Sequence, residues 1–174
     1  GLTVPEAYGG LGLKWVDLTV VLEETAAGLC PLPIASQALS SAAILECGSE
    51  DQKNQWLGAM AAGEVICTTA LYDEANWIDP AAITASASID GDTVTLQGVK
   101  PFVNDAICAD YFLLAVQSPN GLALAALGKE QVSVTQQPVM DQTKASGRIN
   151  LDGVTIPTEF LLPMTEAQLA FLTD

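Results

Sequence analysis

Apolar residues recur at helical spacing through the first third of the chain, and beyond it the period shortens to that of strands. Between Asp17 and Ala27, the residues Leu18, Val21, Leu22 and Ala26 fall on one helical face, with Asp17 as candidate N-cap. Pro31 and Pro33 break this pattern, and a second helix is predicted over 35–45, rich in Ala and Ser, suited to close packing and closed by Gly48. Ser49, with Gln52 three residues on, predicts a capping box that opens a third helix running to about Ala62, with Gly63 as its stop. From Val65 strand-type segments follow one another at 65–72, 83–89, 93–97, 111–117, 121–127, 132–136 and 147–151. Asp90-Gly91-Asp92 and Pro119-Asn120-Gly121 are the clearest hairpin turns. Alternation in 83–89 marks one buried and one polar face. The pattern predicts an α+β chain: an N-terminal helical segment, then an antiparallel, barrel-like β domain of about seven strands.

Composition narrows the chemistry. Hydrophobic residues make up 49% of the 174, enough for a real core. The chain carries 21 acidic and 6 basic side chains and no histidine, a formal net charge of −15. Six scattered cations on an acidic body supply no stripe for nucleic-acid phosphates. Without histidine, a Ser-His-Asp or Cys-His nucleophile and most catalytic zinc sites cannot be built from this chain, and no metal ligand set is expected. Cys30, Cys47, Cys67 and Cys108 form no CxxC pair and read as buried free thiols. No run of 18 apolar residues and no basic-then-apolar start occurs, so the expectation is a cytoplasmic chain without a membrane segment. Gly1 at the start, and Asp174 within a helix beginning at 165–172, suggest a piece of a longer protein.

Several stretches match one family in order. Gly1-Leu2-Thr3-Val4-Pro5-Glu6-Ala7-Tyr8-Gly9-Gly10-Leu11-Gly12 resembles the PEEYGGxG segment of acyl-CoA dehydrogenases. Gly48 to Lys53, with Trp56-Leu57 and Gly63-Glu64, resembles their GSEEQKxxWLPxLxxGE segment. Gly91-Asp92, Leu96 to Lys100 and Ala109-Asp110 resemble their DGDxYVLNGxKxxITNAxxAD region, and Asp152 to Pro157 their DxVxVP turn. The resemblance implies residues 1–64 as part of an N-terminal helical domain, 65–163 as a middle β domain, and 164–174 as the start of the helix leading to a C-terminal helical bundle. It further implies an oxidoreductase of lipid metabolism in which FAD and an acyl-CoA thioester share a cleft, flavin takes the β hydride and a glutamate base removes the α proton. That base belongs to the C-terminal part, so no catalytic residue is expected here.

The departures matter as much. Where the family has a TEPGAGSD loop of small residues against flavin and phosphates, this chain reads Tyr72-Asp73-Glu74-Ala75-Asn76-Trp77-Ile78-Asp79. Tyr72 stands for the flavin-contacting threonine, Trp77 for a glycine and Ile78 for a serine, so the pocket is filled or reshaped. The family's WITN segment reads Phe102-Val103-Asn104-Asp105. The resemblance thus assigns Leu71, Tyr72, Phe102 and Asn104 to the cofactor and Trp77 and Ile78 to the substrate, while Phe102 as core and Asn104 as a turn residue stays an open alternative. Acidic Asp73, Glu74 and Asp79 would repel phosphates, and Lys100 and Arg148 read as salt-bridge partners more readily than phosphate ligands. Trp15 and Trp56 read as interior or interface anchors. Two readings follow. One is a flavin-dependent acyl-CoA dehydrogenase, associating as a homo- or hetero-oligomer. The other is a degenerate subunit completing a flavin-binding partner's site, similar to heteromeric enzymes of steroid degradation, with FAD lost or bound only with the partner.

Overall fold

The structure is a computed structural model that describes residues 1–73, 82–141 and 143–173. Helices α1 (Trp15–Ala27), α2 (Ile34–Cys47) and α3 (Glu50–Ala62) precede the strands, and α4 (Glu166–Thr173) follows them. Ser49 and Gln52 close the expected capping box on α3: the Gln52 amide donates to Ser49 Oγ at 3.3 Å and the Ser49 amide to Gln52 Oε1 at 2.7 Å. Gly63 ends that helix in the left-handed region at φ 75°, where a side chain would be strained. The start of α1 is corrected. Lys14 is its N-cap, and Asp17 lies inside the first turn, its carboxylate accepting the Lys14 amide at 2.9 Å. A carboxylate there favours the positive helix end as well as a cap would.

The strands are β1 (Cys67–Ala70), β2 (Ser86–Asp90), β3 (Thr93–Gln97), β4 (Val99–Val103), β5 (Tyr111–Ser118), β6 (Gly121–Gly128), β7 (Ser133–Gln136), β8 (Gly147–Asn150), β9 (Val154–Pro157) and β10 (Leu161–Pro163). One sheet runs β10-β6-β5-β2-β3-β9, with β1 also on β5, and a second runs β4-β8-β7. The α+β class is as expected, but the sheet is mixed rather than wholly antiparallel. β1 lies parallel to β5, Cys67 opposite Tyr111, and β2 meets β5 in a parallel bridge at Ser86 and Gln117. The helices between β1's approach and the sheet permit this, because β1 is fed from α3 and not from a hairpin. β1 and β2 therefore lie end to end along one edge of β5.

β5 holds the molecule together because its side chains alternate between two cores. Leu113 and Ala115 join Ile44, Leu57, Met60, Leu124 and Leu169 between helices and sheet. Phe112, Leu114 and Val116 join Val94, Leu96, Val103, Ile149 and Ile156 between the two sheets. Its unbroken apolar run is what burial on both faces requires. α2 packs tightly on β1 through small residues. Ser40 Oγ lies 2.9 Å from Thr69 Oγ1, while Gln37 accepts the Cys67 amide at 2.8 Å and donates to the Val65 carbonyl at 3.0 Å. Buried polar groups of α2 thus carry hydrogen bonds, which removes the cost of burying them.

Other expectations are corrected. Cys67 is buried, whereas Cys30 and Cys108 are exposed, and all of the cysteines are free. Burial pushes the Cys67 thiol up to about 12 and that of Cys47 to about 11, so neither is a thiolate near neutrality. Trp56 stacks on Phe160 with ring centroids 6.1 Å apart, as an anchor would, but Trp15 is 48% exposed on α1, where Leu18 is the buried residue. No helix among the described residues is long and apolar enough to cross a membrane.

Candidate functional site

The site grows from an irregularity in β4. Val99 pairs with Asn150 and Lys100 with Ile149, but the next partners are Val103 and Gly147, so two residues of β4 oppose one of β8. That is a β-bulge, and it lets Lys100 and Val103 both turn inward where strict alternation would turn one out. Pro101 sits in the bulge, where its missing N–H leaves no ladder bond unmade. Phe102 takes the left-handed region at φ 52° and is 58% exposed, so the reading of Phe102 as core is excluded. Asp105 is left-handed too, at φ 56°.

Hydrogen bonds hold this segment from several sides. The Phe102 amide donates to Gln137 Oε1 at 2.6 Å, Thr68 Oγ1 donates to the Asn104 carbonyl at 2.7 Å, and Ser36 Oγ donates to Asp105 Oδ2 at 2.6 Å. Three separate parts of the fold therefore fix three of the four residues 102–105, as a preorganised surface demands.

Behind the bulge, Lys100 and Asp73 form a buried ion pair. The Lys100 ammonium donates to Asp73 Oδ1, while Asp73 Oδ2 accepts the amides of Thr84 and Ala85 and the Thr84 hydroxyl, the last at 3.0 Å and the Ala85 amide at 2.8 Å. Burial pushes the Asp73 carboxyl up, but the Lys100 ammonium and the two amides outweigh it and hold it below its ordinary value. Burial also pulls the Lys100 ammonium down, with Asp73 opposing. The expectation that Asp73 repels phosphates is therefore corrected: its charge is neutralised inside the fold. The same pair bridges the end of β1 to the beginning of β2 and ties both to β4.

The predicted site residues divide accordingly. Tyr72 is 44% exposed beside Asp73, and Phe102 and Asn104 are exposed two and four positions beyond Lys100, so the ion pair brings the two segments to one edge. Leu71 is different: its side chain is buried in the helix-side core, leaving its backbone as the part able to meet a ligand. Trp77, Ile78, Glu74 and Asp79 lie outside the described residues. Gln137 and Thr68 were not apparent from sequence, since their roles depend on pairings across 35 and 36 residues. Lys100 carried a signal, an inward position in an otherwise apolar strand.

Whether FAD fits can be judged from these groups. An exposed aromatic on a fixed bulge, with the exposed Asn104 two residues on, suits a planar ring. The phosphates are less well served: Lys53 is bound to Glu50 at 2.9 Å, Lys100 to Asp73, and Lys129 donates to the Ile107 carbonyl at 3.1 Å. The ring half of the cofactor fits the exposed aromatic, whereas these three lysines are engaged within the fold and not held out toward a phosphate.

A helical layer against a mixed sheet, with an exposed aromatic in the bulge of edge strand β4 of the second sheet, defines an α+β fold. The family model described as acyl-CoA dehydrogenase, N-terminal domain, matches residues 1–64. Acyl-CoA dehydrogenase FadE12 of Mycobacterium tuberculosis is 27% identical over 183 residues, covering 99% of this chain and 47% of that protein. An acyl-CoA dehydrogenase structure from Geobacillus kaustophilus superposes with a TM-score of 0.86 at 23% identity, covering 98% of this chain and 48% of that one. The ChsE4-ChsE5 complex from Mycobacterium tuberculosis gives 0.84 at 24% identity, over 99% and 46%. Residues 1–64 thus match the N-terminal domain of acyl-CoA dehydrogenases, and the chain as a whole shares the fold of the acyl-CoA dehydrogenase structures. It spans about half the length of the FadE12 relative, at 47%.

Proposed function

We propose that this chain is the helical and sheet portion of a FAD-dependent acyl-CoA dehydrogenase whose parent takes part in α,β-dehydrogenation of an acyl-CoA thioester. The observation that carries this reading is the Phe102 edge: an exposed aromatic held in a disfavoured backbone conformation, in a chain that shares the fold of acyl-CoA dehydrogenases, a family whose members bind FAD. Flavin would supply the two-electron acceptor. The chain's own residues would bind and orient it: Phe102 by its ring face, Asn104 and Tyr72 by their polar groups, and Leu71 by its backbone. Trp77 and Ile78 are assigned to the acyl side of the same cleft, and the base to the C-terminal part. The division into 1–64, 65–163 and 164–174 belongs to this reading, as do a cytoplasmic location and a role in lipid metabolism.

A second reading is favoured by the charge. With a net charge of −15 and Lys53 and Lys100 already paired, the chain opposes the phosphates of FAD and coenzyme A. It would then be a degenerate subunit completing the site of a flavin-binding partner, with a steroid-side-chain thioester as substrate, and its likeness to a two-protein complex supports this. The visible absorption spectrum of the full-length parent decides. Yellow protein purified alone supports the first reading, colour only on co-purification with a second subunit supports the second, and colour in neither sinks both.

A further inference from the structure

The bulge leaves a question that packing does not answer. Phe102 is a bulky side chain in the left-handed region, an arrangement that costs about 1–3 kcal/mol. It is also 58% exposed, so burial does not repay the cost. Something local must hold it. Between the inward residues Lys100 and Val103, Pro101 has no amide hydrogen, so the Phe102 N–H is the single main-chain donor of the bulge. Gln137 Oε1 takes it at 2.6 Å.

Gln137 is itself well fixed. It follows Gln136, which pairs with Gly147, and its own amide donates to the Ser146 carbonyl at 3.0 Å. Gly147, the residue opposite Val103, has no room for a side chain: a Cβ there would lie 2.8 Å from Val134 Cγ1 and 2.9 Å from the Ala106 Cβ. The absence of that Cβ lets the β7–β8 end press against the bulge and deliver the carboxamide to the Phe102 amide. An acceptor on a strand end, and not on a free loop, aims that amide in one direction.

We propose that Gln137 is a positioning residue for Phe102, holding its ring outward as the stacking surface for the flavin ring; this rests on the flavin reading above. Without the acceptor the amide turns to water, the one bond made by Phe102's own amide is gone, and the ring relaxes from its place. Because the ring lies outside both cores, global stability changes little. Position and stability are thereby separable.

The test uses the full-length protein with Gln137→Met, which keeps length but removes the oxygen, and Gln137→Glu, which keeps an acceptor. Two quantities are read: hydrogen exchange of the Phe102 amide, and FAD affinity by flavin fluorescence titration. Gln137→Met is expected to speed exchange and weaken FAD binding by roughly fivefold to tenfold each, the worth of one hydrogen bond. The thermal midpoint stays near the parent's, and Gln137→Glu restores both readouts. Unchanged exchange and affinity in Gln137→Met overturn the proposal, and so does a fallen midpoint that Glu fails to rescue. If the parent binds no FAD, the functional reading fails on its own. The exchange rate then still judges the positioning of Phe102: faster exchange rescued by Glu sustains it, and unchanged exchange ends it.

Discussion

Lys100 and Asp73 show how much one pair of side chains can decide. Removing either partner leaves a buried charge without compensation, a change that typically costs about 3–5 kcal/mol. Lys100→Met is therefore expected to lower stability on that scale, read from denaturant unfolding, and a midpoint within error of the parent would refute the pairing. The pH dependence follows from the direction of the Asp73 shift. Its carboxyl is held below its ordinary value in the fold, so the pair contributes stability fully above the unfolded carboxylate value. That contribution is lost as pH falls through the lower, folded value. Asp73→Asn should flatten this acid limb, and parallel stability curves for the two proteins across the acid range would contradict it. A sequence reader sees Lys100 as a cation among few; its partner 27 residues away is supplied by the sheet.

At the scale of elements, caps were the best announced features. The Ser49 box on α3 stands as expected because every group in it lies within one turn. Ser49→Ala should cost about 1 kcal/mol, measured by thermal unfolding. A second box, with Thr165 Oγ1 accepting the Gln168 amide at 3.2 Å and Gln168 Oε1 the Thr165 amide at 2.9 Å, opens α4. The strands at 93–97, 111–117 and 121–127 are marked in the sequence by strand-type residues and the turn formers beside them. β4, β9 and β10 are not: Pro101, Pro157 and Pro163 sit in or at the ends of short runs, and a bulge destroys the period on which recognition depends. The parallel placing of β1 was equally hidden, since register across distant strands has no local mark. For the site, the residue types were visible but not the clamp, because Gln137, Thr68 and Ser36 reach it only through tertiary folding. Gly147→Ala, by forcing a methyl against Val134 and Ala106, should cost about 1–3 kcal/mol in unfolding experiments.

Charge acts on the whole molecule. Phosphates approaching a body at −15 meet a field that falls off over about 8 Å at physiological ionic strength. FAD affinity of the parent should therefore rise as salt is raised from low values, the reverse of the usual trend for a cationic phosphate site. A titration at several salt concentrations that shows steady weakening would mean that cations outside this chain dominate the site.

The parallel pairing of β1 with β5 bears on how the chain comes off the ribosome. Ile66 and Asp110, which join the two strands at their start through a 2.8 Å hydrogen bond, are 44 residues apart. The helices and β1 thus emerge first, with Cys67 to Ala70 paired and buried in the sheet only once β5 arrives. Until then β1 has no neighbouring strand, and the core face it shares with α2 lacks the β5 side chains that close it. A nascent chain halted between these two strands would present that bare face to its neighbours, so early synthesis is the interval in which this protein depends most on chaperones.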